Sequence, residues 1–326
     1  MADTAEIKKD TSVEEVKAKS GKEPKAKKSK LPSKLEKFWK NNFGFMFILV
    51  WLLGFLVFRL YPFISSFIYS FTDFHLFKGV NEWGLMNYEE IFTNDKIMSS
   101  LGTTFAYSFM TVPMKLIFAL FIAYILNYKI KGVNLFRTAY YIPSILGGSV
   151  AIAVLWKALF RDEGVINGII RFFGGEGVNW LADPDYALFI ISLLRVWQFG
   201  SAMVLFLAAL KGVPQELYEA ATIDGASKAR QFFSITLPLI TPVVFYNLVT
   251  QLCQAFQEFN GPYIITQGGP RGATTLFSLL IYNRAFGQYE MGMASAMAWV
   301  LFIIVMVLSV IAFLSQKYWV YYGDEK

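Results

Sequence analysis

Glu219-Ala220-Ala221-Thr222-Ile223-Asp224-Gly225-Ala226-Ser227-Lys228-Ala229-Arg230-Gln231-Phe232-Phe233-Ser234-Ile235-Thr236-Leu237-Pro238 is a polar interruption in an otherwise apolar chain. Just upstream, Pro214 suits the first position of a helix, where its missing N–H costs nothing, and Gln215 to Ile223 holds no breaker, so a short helix is predicted. Leu217, Ala220 and Ala221 recur at i, i+3, i+4 and give that helix a narrow face of small and apolar side chains. Asp224-Gly225 then ends it, because glycine enters the left-handed region freely, and the Asp224 carboxylate is placed to cap a following helix. That second helix runs from Ala226 to about Ile235, with Pro238 opening the next apolar stretch. Helix, sharp turn and helix make a rigid projection suited to a groove on a partner. The same periodicity also fits an amphipathic elbow on a membrane surface, with Phe232 and Phe233 as anchors.

The chain around this segment is 55% hydrophobic and 17% aromatic, with a mean hydropathy of +0.44. Its apolar residues come in blocks long enough to cross roughly 30 Å of hydrocarbon at about 1.5 Å per residue. Six such blocks fall near 43–71, 99–127, 134–160, 186–211, 236–258 and 292–316, which predicts an all-α integral membrane protein with six transmembrane helices and both termini on one side. Residues 1–42 carry twelve lysines against seven acidic residues and almost no aromatics, so they are expected to form a basic, disordered tail that stays in the cytoplasm and is weakly drawn to anionic membrane lipid. No apolar core followed by a small-residue cleavage pattern precedes residue 43, which argues against a cleaved signal peptide. The transmembrane domain then spans 43–326, with the polar loop at 212–238 on the cytoplasmic face. Counting the tail, lysine and arginine number twenty on that side and six on the other, in keeping with the positive-inside rule.

Several function classes drop out. The net charge of +6 is concentrated in the tail, so nucleic acid is not an expected partner. The lone Cys253 and lone His75 build no disulfide, metal site or catalytic dyad. No G-x-x-x-x-G-K-[ST] occurs, so the chain is not expected to bind or hydrolyse ATP, and no catalytic residue or bound cofactor is expected.

Within the fifth block, Asn247, Gln251, Gln254 and Glu258 sit at i, i+4, i+7, i+11, within about 60° of arc on one helical face. Polar groups at membrane depth line a watery path or bond another helix; the stripe is read as a candidate substrate path, with interhelical bonding as the alternative. Gln257 and Trp197-Gln198 are weaker candidates. Arg59, in the first block, either contacts a neighbouring helix or belongs to the path. Gly292-Met293-Ala294-Ser295-Ala296-Met297-Ala298 reads as a close-packing surface. The outer loops, with Trp83, Tyr88, Trp180 and the Asp183-Pro184-Asp185 run, are read as interfacial anchors and turns or as a meeting place for a soluble partner.

The opening segment resembles the E-A-A-x-x-D-G-A-x(5)-F-x-x-I-x-L-P signature of the membrane subunits of binding-protein-dependent ABC importers, with every fixed position filled. From about residue 44 onward the chain is similar to the maltose-transporter-type permeases that import carbohydrates, at Tyr61-Pro62-Phe63, Phe136-Arg137-Thr138, Tyr141-Ile142-Pro143, Trp156, Leu159-Phe160, Thr266-Gln267-Gly268-Gly269-Pro270, Tyr282 and Ala285-Phe286. The resemblance implies a type I ABC importer permease fold in the cytoplasmic membrane of a prokaryote. It further implies a second homologous permease, two ATPase subunits that consume ATP, and an extracytoplasmic sugar-binding protein that delivers a carbohydrate. Glu219, Ala220, Ala221, Asp224, Gly225 and Ala226 would receive the ATPase. The alternatives are an importer for another solute, such as a glycerol phosphate, and an ion-coupled secondary transporter pairing Arg59 with Glu258. Against the latter stands the loop itself, and no matched pair of interrupted helices is legible in the sequence.

Overall fold

The computed structural model describes residues 48–128 and 131–323; the tail expected over 1–42 lies outside them. The chain divides at Leu60 into two units. The helical run Ile48–Tyr69 is 22 residues long and apolar enough to cross a membrane; Arg59 lies in its π-helical turn Leu56–Leu60 and is exposed.

The second unit begins with α1 (Tyr61–Tyr69), followed by α2 (Met86–Thr93), α3 (Asp95–Asn127), α4 (Val133–Leu146), α5 (Val150–Leu159), α6 (Val165–Phe172), α7 (Pro184–Trp197) and α8 (Gly200–Lys211). The polar loop supplies α9 (Gln215–Ile223) and α10 (Lys228–Gln231), which continues through the π-turn Phe232–Thr236 into α11 (Leu237–Phe256). Two short elements, the π-turn Pro262–Thr266 and α12 (Phe277–Tyr282), precede α13 (Met291–Trp319). Three further helical runs, Asp95–Asn127, Lys228–Phe256 and Met291–Trp319, are long and apolar enough to span, as expected for the second, fifth and sixth blocks.

The third and fourth blocks are not straight spans. Val133–Leu146 and Val150–Leu159 meet at 104°, and Pro184–Trp197 and Gly200–Lys211 at 47°. The two interrupted helices that the sequence did not reveal are therefore present. Gly147-Gly148 ends α4, and the Ser149 side chain accepts the Ala151 N–H at 3.2 Å to start α5, a cap that makes the break a designed terminus.

Helix α3 is the central post, packed against α8, α7 and α11. Its Ala119 and Ala123 are fully buried in one cluster with Ala202, Met203 and Phe206 of α8; small residues four apart let helix backbones approach closely. A second cluster gathers Ile91, Ile97, Phe256, Phe277, Met297 and Val300. Phe63 and Phe67 of α1 set their rings 4.7 and 4.8 Å from Trp299 of α13. The small-residue start of α13 packs as expected: a Cβ on Gly292 would stand 2.0 Å from the Thr72 carbonyl oxygen, and its N–H donates to the Phe74 carbonyl at 2.8 Å.

The loops expected on the outer face are ordered by side chains. The Asp183 carboxylate caps α7 through the Asp185 N–H at 3.0 Å, and Trp180 donates to Asn167 at 2.9 Å. Arg284 ties the start of α13 to α2 through Glu290 at 2.6 Å and Glu90 at 3.0 Å. His75 is half-buried, and its Nδ1 accepts the Phe77 N–H at 3.3 Å.

Candidate functional site

The polar loop folds into the expected helix, turn and helix, with three corrections. Pro214 is the residue before the helix and α9 starts at Gln215. Asp224 ends α9, and Ser227 caps α10, its hydroxyl accepting the Arg230 N–H at 3.3 Å. The regular α-helix there is only Lys228–Gln231, the rest being the π-turn to Thr236. Gly225 takes φ +75°, the Ala226 N–H reaches back to the Ala221 carbonyl at 2.9 Å, and the Gly225 N–H to Thr222 at 3.1 Å. This pair of bonds is a Schellman motif, which satisfies carbonyls that a helix end otherwise leaves open.

Side chains then brace the projection from within. Buried Gln231 donates to the Thr222 hydroxyl at 3.0 Å and to the Ala226 carbonyl at 3.2 Å, and the Tyr218 and Thr236 hydroxyls are 2.7 Å apart. Glu219, Ala220, Asp224 and Gly225 face outward, Ala221 and Ala226 are half-buried, and Ile223 is 87% exposed. Ile223 lies off the Leu217, Ala220, Ala221 face on which the sequence reading rested.

The polar stripe separates into two parts, and Glu258, expected on the same helix, lies past the end of α11 at Phe256. Asn247 is buried and donates to the Val243 carbonyl of its own helix at 3.0 Å. Gln251 is also buried and accepts from the Lys115 ammonium on α3 at 2.7 Å. Gln251 follows the interhelical alternative, Asn247 bonds only within its own helix, and neither lines the polar cleft at Arg195. Gln254 and Glu258 differ, because both line a cleft of about 280 Å³ with Arg195, Gln257 and Asn260. Arg195 of α7 organises it: the guanidinium donates to Gln254 at 2.7 Å and to Gln198 at 3.2 Å, with a Glu258 carboxylate oxygen at 3.7 Å. The planar guanidinium, which carries five donors, suits a site with several acceptors.

Gln198 joins this cluster to the helix breaks. Its side chain donates to the Gly147 carbonyl at 3.1 Å, its own carbonyl accepts from Ser144 at 3.0 Å, and Ser144 accepts the Ser201 N–H at 2.9 Å. The two bent helices thus meet at their interruptions, beside the polar cleft. Lys115 and Arg195 were missed in the sequence, although a cation in the middle of an apolar block was the available signal.

A helical membrane subunit with interrupted spans, a polar cleft at their crossing and a braced projection at one end is a solute-conducting component that works with other proteins. The chain belongs to the binding-protein-dependent transport system inner membrane component family, whose description matches residues 85–320. It is 46% identical to a probable ABC transporter permease, YesP of Bacillus subtilis, over 88% of this chain and 94% of that protein. It is 35% identical to the trehalose/maltose transport system permease MalF of Thermococcus litoralis, over 86% and 95%. A solved bacterial alginate ABC transporter, in complex with alginate pentasaccharide-bound periplasmic protein, superposes with a TM-score of 0.74 at 22% identity, covering 87% of this chain and 97% of that one. The type I importer permease fold follows, as does a transport rather than enzymatic role. The ion-coupled alternative falls with the family assignment, and the cation beside Glu258 is Arg195.

Proposed function

We propose that this chain conducts a carbohydrate, as one of two related permeases, and that the α9–α10 projection receives the ATPase. The observation that carries the reading is the braced turn at Gly225. It holds exposed Glu219, Ala220, Asp224 and Ile223 and half-buried Ala221 and Ala226 on a short, internally bonded support. Small side chains let a partner's groove close on the backbone, and the internal bonds let a push on the turn reach α11 without being lost in bending.

Two ATPase subunits would hold and consume the ATP, this chain binding no cofactor of its own, and an extracytoplasmic sugar-binding protein would deliver the solute on the opposite face. The chain would lie in the cytoplasmic membrane of a prokaryote with both termini in the cytoplasm, so that the projection meets the ATP supply. Gln254, Gln257, Asn260 and the Arg195–Glu258 pair offer donors and acceptors together, as sugar hydroxyls require. Relatives and solved neighbours named for trehalose, maltose and alginate support carbohydrate as the solute class.

The test is uptake into vesicles holding the chain with its second permease and ATPase, supplied with loaded binding protein. ATP-dependent sugar accumulation is expected. Uptake driven by an ion gradient without ATPase, or accumulation of glycerol 3-phosphate with no sugar competing, would overturn the reading.

A further inference from the structure

Where the polar loop meets α3, two adjoining concavities share three residues. One is an apolar groove of about 660 Å³, walled by Ile117, Leu120 and Phe121 of α3 and by Ala229, Phe233 and Leu237 from the segment after the turn. The other is a polar pocket of about 170 Å³ that includes Asn127, Tyr128, Tyr218 and Gln231. Tyr124, Lys228 and Phe232 line both. Phe232 packs its ring 5.1 Å from Tyr124, and the Tyr128 hydroxyl donates to the Tyr124 hydroxyl at 2.9 Å. Lys228 is exposed and, among the described residues, is the one charged residue lining either space; Gln231 takes one of its three donors, at 3.2 Å.

We infer that the paired concavities form a site for one anionic phospholipid, an acyl chain lying in the groove and the phosphate seated at Lys228 beside the tyrosine hydroxyls. The argument is one of matched polarity. In a membrane subunit, a groove of this kind is filled by hydrocarbon, whereas a pocket of hydroxyls, amides and an ammonium is filled by a group rich in acceptors. One amphiphile supplies both, joined in the order in which the two spaces are joined. Lys228 selects sign: near a membrane surface each lysine favours anionic over zwitterionic lipid, and tyrosine settles at the headgroup level with its ring in the apolar layer.

The site borders the projection itself. Gln231, in the polar pocket, is bonded to Thr222 of α9, and Tyr218, in the same pocket, to Thr236. A bound lipid would stiffen these braces, and lipid composition would then regulate the coupling proposed above. Lipid binding goes beyond that reading and is measured separately from it.

The probe is phosphatidylglycerol against phosphatidylcholine, offered to the purified full-length chain and counted by native mass spectrometry. One phosphatidylglycerol is expected to be retained in preference to phosphatidylcholine. Lys228→Gln, at an exposed position, should weaken that retention about five-fold and leave phosphatidylcholine unchanged. Ala229→Trp, which fills the groove from another exposed position, should abolish retention of both, with circular dichroism reporting an unchanged helix content. Equal retention of the two lipids, or phosphatidylglycerol retention indifferent to Lys228→Gln, would overturn the inference. So would complete cross-linking of a Phe233→Cys chain to the second permease in the assembled transporter, which makes the groove a subunit interface. Loss of sugar uptake or of ATPase capture would sink the transport reading and leave the lipid count untouched.

Discussion

The Lys115 ammonium on α3 lies 2.7 Å from the side-chain oxygen of Gln251 on α11, and both residues are buried. A bond between two buried side chains 136 residues apart is a brace, and its loss leaves an unpaired polar group behind. Lys115→Met should therefore destabilise the chain by ~1–3 kcal/mol, the cost of an orphaned buried acceptor. The double variant Lys115→Met/Gln251→Leu should recover part of that loss, because neither partner then remains. Thermal unfolding in detergent compares the native chain, Lys115→Met, Gln251→Leu and the double variant; additive losses would show that the two side chains do not depend on each other.

Gly225 sits at φ +75° with nothing within 4 Å of the place a Cβ would occupy. Space is therefore no obstacle to substitution, and only backbone strain opposes it. Gly225→Val should cost ~1–3 kcal/mol locally, since a β-branched residue is a poor occupant of the left-handed region. Gly225→Asn, which visits that region with local hydrogen bonding, should be nearly silent. Under the docking reading, Val abolishes ATPase pull-down while membrane insertion stays normal, and Asn retains it. Equal capture by both would remove the turn from the docking surface.

Much of this architecture was legible because hydrophobic length is a strong signal: the blocks near 99–127, 236–258 and 292–316 became α3, α11 and α13. Length was also what misled, since it joins α4 to α5 and α7 to α8 and hides the bends. Gly147-Gly148-Ser149, a breaker pair followed by a capping residue, marked one break and was read through. Asp224 and Ser227 are both competent caps, and spacing alone did not say that the Schellman bonds would claim Asp224 as a terminus. Helical geometry placed Asn247, Gln251 and Gln254 on α11, but the helix ends at Phe256, before Glu258, and what each residue meets depends on α3 and α7. Asn247 and Gln251 are buried and bonded, whereas Gln254 and Glu258 line the cleft beside Arg195.

The crossing of the bent helices makes an unequal pair of glycine predictions. A Cβ on Gly147 would meet the Gln198 side chain at 2.3 Å, whereas one on Gly200 would meet the Tyr140 carbonyl oxygen at 2.4 Å and the Tyr141 Cα at 2.8 Å. A side chain can swing aside and a backbone cannot. Gly200→Ala should therefore lower the melting temperature markedly, at a cost of ~1–3 kcal/mol, and Gly147→Ala much less. Because displaced Gln198 also contacts Arg195, Gly147→Ala should disturb uptake more than stability; a larger thermal loss at Gly147 than at Gly200 contradicts the geometry.

In the loop after α1, the Asp73 carboxylate accepts the backbone N–H of Glu82 at 2.9 Å and that of Asn81 at 2.8 Å, together with the Asn81 side-chain amide at 3.0 Å. These bonds, the Glu82 N–H foremost, hold its pKa below the ordinary value of 3.8. A carboxylate with a depressed folded pKa contributes stability above its unfolded value and loses it as pH falls through the folded one. Protection of the Asn81 and Glu82 amides, taken as exchange relative to the intrinsic rate at each pH, should consequently be high at neutral pH and fall below about pH 3.8. In Asp73→Asn that protection should be low throughout, converging with the native chain only in acid. A constant gap between the two across the acid range would show that the carboxylate is not what orders this loop.

Arg195 is the residue on which the cleft depends most, because Gln254, Gln198 and Glu258 all face its guanidinium. Arg195→Lys keeps the charge but replaces a forked donor with a point charge that cannot serve three acceptors at once. It should fold, keep a cation beside Glu258 and lose much of its uptake. Arg195→Met removes the charge and leaves a half-buried carboxylate without its partner, which should add a stability loss of ~1–3 kcal/mol. Glu258→Gln on that background should restore stability, because the stranded charge is gone, but not uptake, because the donors that arrange Gln254 and Gln198 are still missing. Thermal unfolding and vesicle uptake on the three variants separate the two effects. If Arg195→Lys transports at the native rate, the cleft is shaped by charge alone, and the hydrogen-bond geometry at Gln254 and Gln198 is dispensable for transport.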